Sequence, residues 1–385
     1  MNDMRIGIDL TFIRPDHKNG GTESALKNLI KGIENIRHLP EYQQMEFVYF
    51  IHREIYDDYK KIFPHLNYRV YDMKGIHPLR MVLFQTFVLP GLAKKEKLDL
   101  MYFPTFQTGL KKNWPMKLII NPNDIQYKYY PEYFSWAKRQ YYNIFYKNSL
   151  KKASVLIAIS NYVKSSYEQF FQKEIVDKML VIYAPIDFSE TACETVESVK
   201  NEKGRFILCI NSLTKHKNLI TLLKAFEALD LDGQKLVIGG ATWNGANEIQ
   251  EFISSHRMED KVVLTGRLTD AQLQYLYQNA KLFVTPSLYE GFGMTPIEAM
   301  AAECPVISSK ETSLYEVTQG LVSYYEPATD ADRLADAMKT TLQKIDCGEI
   351  TKAHLQDLHR RVYDSYNADA IAKQYLNLFA QQCGK

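Results

Sequence analysis

The chain has 385 residues, 46% of them apolar and 24% charged, with a formal net charge of +2. That is enough for about two domains of roughly 100–200 residues each; the composition excludes intrinsic disorder, and the near-neutral balance implies no nucleic-acid partner. Five cysteines, at 193, 209, 304, 347 and 383, show no CxxC spacing, so they form neither a disulfide framework nor a zinc knuckle and fit a reducing, cytoplasmic setting.

The N-terminus, MNDMRIGIDL, runs into a strand-like segment with no signal-peptide pattern, and no run of about 18 apolar residues is present to span a membrane. Short runs rich in Val, Ile and Phe then recur at Arg5–Asp9, Phe47–Ile51, Leu100–Phe103, Leu118–Asn121 and Val155–Ile159. Such short, almost continuously apolar runs predict strands buried on both faces of a parallel sheet. A stretch with Pro185 and several acidic and small residues breaks this rhythm and ends on Gly204. The pattern restarts with Phe206–Ile210, Lys235–Ile238, Val262–Leu264, Leu282–Val284 and Val306–Ser308. Between the strands lie helix-period segments such as Asn218–Leu229, with Leu219, Leu222, Leu223 and Phe226 on one face.

The alternation predicts an α/β chain of two Rossmann-like domains. The first spans 1–184, a linker spans 185–204, and the second spans 205–364. The amphipathic helix around Asp369–Phe379 belongs to a segment, 365–385, expected to pack back on the first domain. Open parallel sheets bind ligands outside the carboxyl ends of their strands, which places a site in a cleft where the two domains face each other.

The segment Thr285–Ser308, TPSLYEGFGMTPIEAMAAECPVIS, carries the most chemistry. A strand ends near Pro286, a loop holds Glu290, Gly291 and Gly293, and a helix is expected from near Pro296. Glycines allow close backbone approach and positive φ, and a helix N-terminus offers unsatisfied N–H groups, so the loop suits a diphosphate. Phe292, Met294 and Thr295 belong to the same turn. The carboxylates of Glu290 and Glu298 cannot bind phosphate; their natural partners are hydroxyl groups of a sugar or ribose. Glu298 alone would be unremarkable, since acidic residues favour the first turn of a helix.

The string EGFGMTPIEAMAAECPVIS resembles the E-x7-E region of the retaining glycosyltransferases of family 4, which have the GT-B fold. Ser212–Phe226, SLTKHKNLITLLKAF, is similar to that family's first strand–loop–helix of the second domain. There Lys217 matches the lysine that holds the donor diphosphate, Ser212 stands where an arginine is frequent, and Lys215 offers a second positive charge. Val262–Ser287 is similar to the family stretch that lines the nucleobase pocket, which points to Arg267 and Leu268. In the first half, Gly20 and Gly21 resemble a loop near the donor phosphate and the acceptor. Ile119–Ser135 resembles a stretch that normally carries His-Asp; here the pair is Asn123 and Asp124, and Asn123 cannot titrate near neutral pH.

The resemblance implies transfer of a sugar from a nucleotide diphosphate sugar, UDP- or GDP-linked, to a glycan or lipid-linked acceptor hydroxyl with retention of configuration. Glu290 would hold the transferred sugar, Glu298 the ribose, and Lys217 the β-phosphate, with no metal ion and no cofactor beyond the donor. Two other readings stay open: a sugar-nucleotide epimerase on the same fold, and an inactive sugar-nucleotide-binding subunit. Residues 1–200 carry 28 Lys and Arg against 22 Asp and Glu, and residues 201–385 carry 19 against 23. The basic, aromatic segments Trp136–Lys152 and His77–Lys97 could therefore meet an anionic bilayer at the inner face of the cell membrane. The alternative is a core-facing helix whose lysines cover apolar surface.

Overall fold

A computed structural model describes residues 4–16, 19–72, 78–188, 193–229, 231, 233–241 and 245–384. The chain divides into two compact units. One runs up to Pro185 and resumes at Ala368; the other is Ile186–Asn367. Where the chain passes from one to the other, Ile186 pairs in parallel with Asn367, and the Ile186 N–H donates to the Tyr366 carbonyl at 2.8 Å.

The first unit is built on a seven-stranded parallel sheet in the order β3-β2-β1-β4-β5-β6-β7. The strands are β1 (Met4–Asp9), β2 (Met45–His52), β3 (Tyr68–Tyr71), β4 (Leu100–Phe103), β5 (Lys117–Ile120), β6 (Val155–Ala158) and β7 (Met179–Val181). Chain order reverses between β1 and β4, so the loops at their carboxyl ends splay apart. One face of the sheet packs Ile6, Ile8 and Tyr102 against the last helix, Ala368–Cys383, through Ile371, Tyr375, Leu376 and Phe379. Three of these helix side chains (Ile371, Leu376 and Phe379) are fully buried, each contributing roughly 1.5–3 kcal/mol. The same helix lies against the helix Gly21–Ile36 at Gly32, where a Cβ would sit 2.3 Å from the Ala368 carbonyl oxygen. Only glycine permits that approach.

The second unit has a six-stranded parallel sheet in the order β10-β9-β8-β11-β12-β13. Its strands are β8 (Phe206–Ile210), β9 (Lys235–Gly239), β10 (Val262–Gly266), β11 (Leu282–Thr285), β12 (Val306–Ser309) and β13 (Ser323–Tyr325). Here the order reverses between β8 and β11. Ile207, Leu236, Val284 and Ile307 make one core with Leu222, Leu223 and Phe226 of the helix Leu219–Leu229.

The predicted strands are present to within a few residues at each end. The sequence reading passed over β3, β7 and β13, which are edge or near-edge strands of three or four residues. The stretch expected as a linker, 185–204, lies from Ile186 onward in the second unit, as far as it is described. Glu194 ties it down: its N–H donates to the Ala271 carbonyl at 3.2 Å, and its carboxylate accepts from Thr269 and Gln272.

Candidate functional site

In the second unit the loops that leave β8 and β11, the two strands flanking the reversal, are laced together. After β8 the chain turns through Ser212 and Leu213 into a single 3₁₀ turn, Lys215–Lys217, that ends on Asn218 at φ 56°. The Asn218 side chain donates to the carbonyls of Pro286 (3.0 Å) and Ala328 (2.7 Å). The Leu288 N–H donates to the His216 carbonyl at 2.8 Å. These bonds hold the turn bearing Lys217 beside the loop bearing Glu290.

The two side chains meet. Lys217 Nζ lies 2.5 Å from Glu290 Oε1, with 16% and 13% of the side chains exposed. Ser287 Oγ donates to the same carboxylate oxygen at 2.8 Å. Burial pushes the Glu290 carboxyl up, but the charge and hydrogen bond of Lys217, helped by His216 and Ser287, outweigh it and hold the group below its ordinary range. His216 is pushed down to about 4, by burial first and the Lys217 charge second, so it is neutral at physiological pH. The loop beyond β12 braces the Glu290 backbone. Thr312 Oγ1 accepts the Glu290 N–H at 2.9 Å, and the buried Ser313 hydroxyl lies 2.9 and 2.8 Å from the carbonyls of Glu290 and Phe292.

The helix after this loop begins at Met294, two residues before the Pro296 start expected from sequence. Gly293 is its N-cap at φ 95°, a conformation L side chains rarely adopt, and no side chain caps the first turn. No side chain therefore competes for the early N–H groups at Met294 and Thr295, which lie close in sequence to Glu290. Gly291 and Phe292 are buried in the loop. One turn on, Glu298 Oε2 accepts a hydrogen bond from the Tyr277 hydroxyl at 2.8 Å. Burial raises the Glu298 carboxyl above its ordinary range; the Tyr277 hydrogen bond opposes this and Asp270 adds to it.

The other predicted second-unit residues are more open. Arg267 is exposed just beyond β10, and Leu268 is half-buried near Gly239 of β9. Thr269 then caps the helix Asp270–Asn279 through a reciprocal bond with Gln272. Ser212 lies 3.5 Å from the Thr214 hydroxyl, and Lys215 is exposed, so it does not join the buried Lys217 pair.

In the first unit, Gly20 is the N-cap of the helix Gly21–Ile36 at φ 57°, again with no side-chain cap. Asn123 takes φ 61°, its N–H donating to Asn121 Oδ1 at 3.0 Å. Asp124 Oδ1 accepts the Gln126 N–H at 3.0 Å, and the Asp124 carbonyl accepts from the Tyr146 hydroxyl at 2.6 Å. Sequence reasoning missed a buried carboxylate at the end of β1. Asp9 accepts from the N–H and hydroxyl of Thr11 (2.9 and 2.6 Å) and from Gln85 Nε2 (3.0 Å), and burial raises it to about 6. Sequence reasoning also missed Tyr277, Ser287, Thr312 and Ser313. Three of these lie in segments singled out from sequence, Asp9 at the end of the run Arg5–Asp9, Tyr277 in Val262–Ser287 and Ser287 in Thr285–Ser308, but nothing local to those segments marks their side chains.

The two basic segments are only partly surface. In the helix Trp136–Lys152, Trp136 and Ile144 are exposed but Phe145 is buried. Lys152 is turned inward, donating to the carbonyls of Thr108, Gly109 and Lys111, and burial lowers it to about 7. In the stretch Pro78–Lys95, Leu79, Leu83, Phe87 and Val88 are exposed, Phe87 by 74%; His77 lies outside the described residues. Among the described residues no group of three or more His, Cys, Asp or Glu side chains is placed to hold a metal ion. No helix among them is long and apolar enough to cross a membrane.

Residues 194–353 match the family model described as glycosyl transferases group 1. The O-antigen chain mannosyltransferase RfbU of Salmonella typhimurium strain LT2 is 29% identical over 208 residues, covering 54% of this chain and 56% of that protein. The chain thus spans little more than half the length of this curated relative. Sucrose-phosphate synthase from Thermosynechococcus elongatus superposes with a TM-score of 0.80 at 18% identity over 98% of both chains. Anabaena HepE, solved in complex with UDP and glucose, gives 0.73 at 18% identity over 98% of this chain and 99% of that one. At these identities the likeness is one of fold: two Rossmann-like parallel-sheet units of the GT-B type.

Proposed function

We propose that the chain is a hexosyltransferase, a reading supported by the match of residues 194–353 to the glycosyl transferases group 1 model. It moves a sugar, mannose being the first candidate, from a UDP- or GDP-linked donor to a hydroxyl of a glycan or lipid-linked acceptor. The configuration is retained, and the product is a cell-surface polysaccharide or glycolipid. The observation that carries this reading is the Lys217–Glu290 pair at the reversal between β8 and β11, next in sequence to an uncapped helix N-terminus. The mannosyltransferase name of RfbU supports the sugar, and the UDP in the HepE complex supports a nucleoside diphosphate leaving group.

In this reaction the bond from the anomeric carbon to the donor phosphate breaks and a bond to the acceptor oxygen forms on the same face. The acceptor proton passes to the departing phosphate. Lys217 and the N–H groups at Met294 and Thr295 neutralise charge developing on that phosphate, which is where preorganised positive groups lower a barrier most. They do so without a metal ion. When the diphosphate engages Lys217, the Glu290 carboxylate is released to accept hydroxyls of the sugar, and Glu298 accepts those of the ribose. Arg267 and Leu268 face the base. Gly20, Gly21, Asn123 and Asp124 are the first-unit candidates for contacting the sugar and the acceptor. The exposed Leu83 and Phe87, with Lys94 and Lys95 near them in sequence, support peripheral contact of the first unit with an anionic bilayer that carries the acceptor.

The test is thermal stability against UDP, GDP, dTDP and ADP, with and without EDTA, followed by transfer assays with the sugars of the responding nucleotide. A ligand at about 100 times its Kd stabilises by roughly 2.7 kcal/mol. One responder, insensitive to EDTA and lost in Glu298→Ala, is expected. A protein that responds to none of the four does not have this donor site. One that binds donor but yields only free sugar nucleotide isomers is an epimerase.

A further inference from the structure

We propose that Tyr277 is a positioning residue for ribose recognition, fixing Glu298 so that its second carboxylate oxygen receives the ribose hydroxyls. The inference rests on the donor-site reading above and extends it to a residue that contacts no part of the donor.

The argument starts from the helix Asp270–Asn279, where Tyr277 is 3% exposed. Its ring packs on Phe283 of β11, with centroids 5.6 Å apart, so the core of the sheet sets the ring's position. From there the hydroxyl reaches Glu298 Oε2 at 2.8 Å. A glutamate at a helix surface samples several rotamers, and a carboxylate must be held to meet a cis pair of ribose hydroxyls at once. A phenol on a rigid ring binds one oxygen and leaves Oε1 for the ligand. A buried tyrosine hydroxyl needs a partner, and this one has chosen the carboxylate.

The arrangement also tunes charge. Glu298 must be ionised to accept from two hydroxyls. Burial raises its carboxyl, Asp270 at the start of the same helix raises it further, and the Tyr277 hydrogen bond opposes both. The other groups facing Tyr277 are the buried thiols of Cys209 and Cys304, both pushed up to about 12 by burial and therefore neutral. Without the phenol hydrogen, Glu298 titrates higher, and donor binding fails at a higher pH.

The experiment compares wild type with Tyr277→Phe, using the responding nucleoside diphosphate and its 2′-deoxy and 3′-deoxy forms. In Tyr277→Phe, affinity for the full nucleotide falls about 5- to 20-fold, discrimination against the deoxy forms shrinks by a similar factor, and the acid limb of binding moves to higher pH. In a Glu298→Ala background, where the phenol has lost its acceptor, the same substitution adds little to the residual loss. Glu298→Asp, which keeps the charge but shortens the reach to the phenol, loses discrimination in the same way and serves if Tyr277→Phe does not fold. Unchanged discrimination and an unmoved acid limb in Tyr277→Phe overturn the proposal. So does an undiminished loss in the Glu298→Ala background, which means that Tyr277 acts through the fold. If wild type binds no nucleoside diphosphate, or binds the deoxy forms equally, it is the donor-site reading that fails.

Discussion

Lys217 and Glu290 neutralise each other at 2.5 Å in a nearly enclosed setting. Breaking a buried pair by removing one partner costs about 3–5 kcal/mol, because the other charge is left without compensation. Lys217→Ala is therefore expected to lower the melting temperature and to reduce transfer by a factor on the order of 10²–10³. It also changes the sign of a pH dependence. In wild type the Glu290 carboxyl is depressed, so its stabilising contribution is present above the unfolded carboxylate value and is lost as pH falls from there through the lower native value. Without Lys217, burial dominates, the carboxyl rises above its unfolded value, and the contribution turns unfavourable as pH climbs from the unfolded value through the raised native one. Denaturant titrations of both proteins between about pH 3 and 7 should show wild type losing stability as pH falls below the unfolded carboxylate value and Lys217→Ala losing it as pH rises above that value; parallel profiles would mean that Lys217 does not govern this carboxylate.

Asp9 is a second residue-scale case. Its carboxyl is raised to about 6, so between its unfolded value and 6 the native state holds a proton that the unfolded state gives up. Stability is lost as pH rises through that window, by on the order of 2–3 kcal/mol. Gln85 Oε1 is buried with no hydrogen-bond partner, and an amide at position 9 supplies a donor that a turned Gln85 can accept. Asp9→Asn is expected to be more stable than wild type at pH 7.5 and to lose the advantage near pH 4. Urea midpoints at the two pH values decide it.

At the scale of elements, the close crossing of Gly21–Ile36 and Ala368–Cys383 hangs on Gly32. Its absent Cβ would meet backbone, which cannot rotate away. Gly32→Ala should cost about 1–3 kcal/mol through displacement of the last helix, read as a lowered thermal midpoint with nucleotide affinity retained. The stretch Pro78–Lys95 has the opposite character: Leu83 and Phe87 lie open to solvent, and no acidic residue occurs between Pro78 and Lys95. If this stretch meets lipid, Leu83→Ser with Phe87→Ser abolishes sedimentation with anionic vesicles and leaves nucleotide binding intact. Binding to neutral vesicles as strong as to anionic ones would remove the electrostatic part of the reading.

The helix-scale features most legible in the sequence were those set by local rules. Trp136–Lys152 has the predicted bounds, and Leu219–Leu229 differs by one residue: the second carries an apolar stripe of its own, and the first is opened by the Ser135 side chain, which accepts the Lys138 N–H. The start at Met294 was read two residues late, since Pro296 signals a first turn while the actual cap is the positive φ of Gly293. Strands β3, β7 and β13 are only three or four residues long, too short to stand out from loop. They exist because a neighbouring strand offers them hydrogen bonds.

Over the whole molecule, each unit owns its core, and the residues proposed to hold the donor's diphosphate, sugar and ribose, Lys217, Glu290 and Glu298, all lie in the second. A bound nucleoside diphosphate should therefore protect amides around 211–218 and 286–298 from hydrogen exchange and leave the central strands of the first sheet unchanged. Protection confined to the first unit would move the site away from Lys217 and Glu290.

The two parallel-sheet units are legible in the order of amino acids alone, as is the segment from which the proposed site is built. Buried strands, periodic helices and a glycine-rich turn before a helix are local patterns, and the strand–turn–helix of 282–301 keeps Glu290 and Glu298 close to each other in the chain. Only the tertiary structure decided which groups touch. It joined Lys217 to Glu290 across 73 positions and Tyr277 to Glu298 across 21, set Ser313 under the Glu290 loop, and turned Lys152 inward while Lys151 stayed out. Those contacts depend on strand order and on which helix face packs against which strand. A side chain's charge state and partners follow from that packing, and no single segment of the chain contains it.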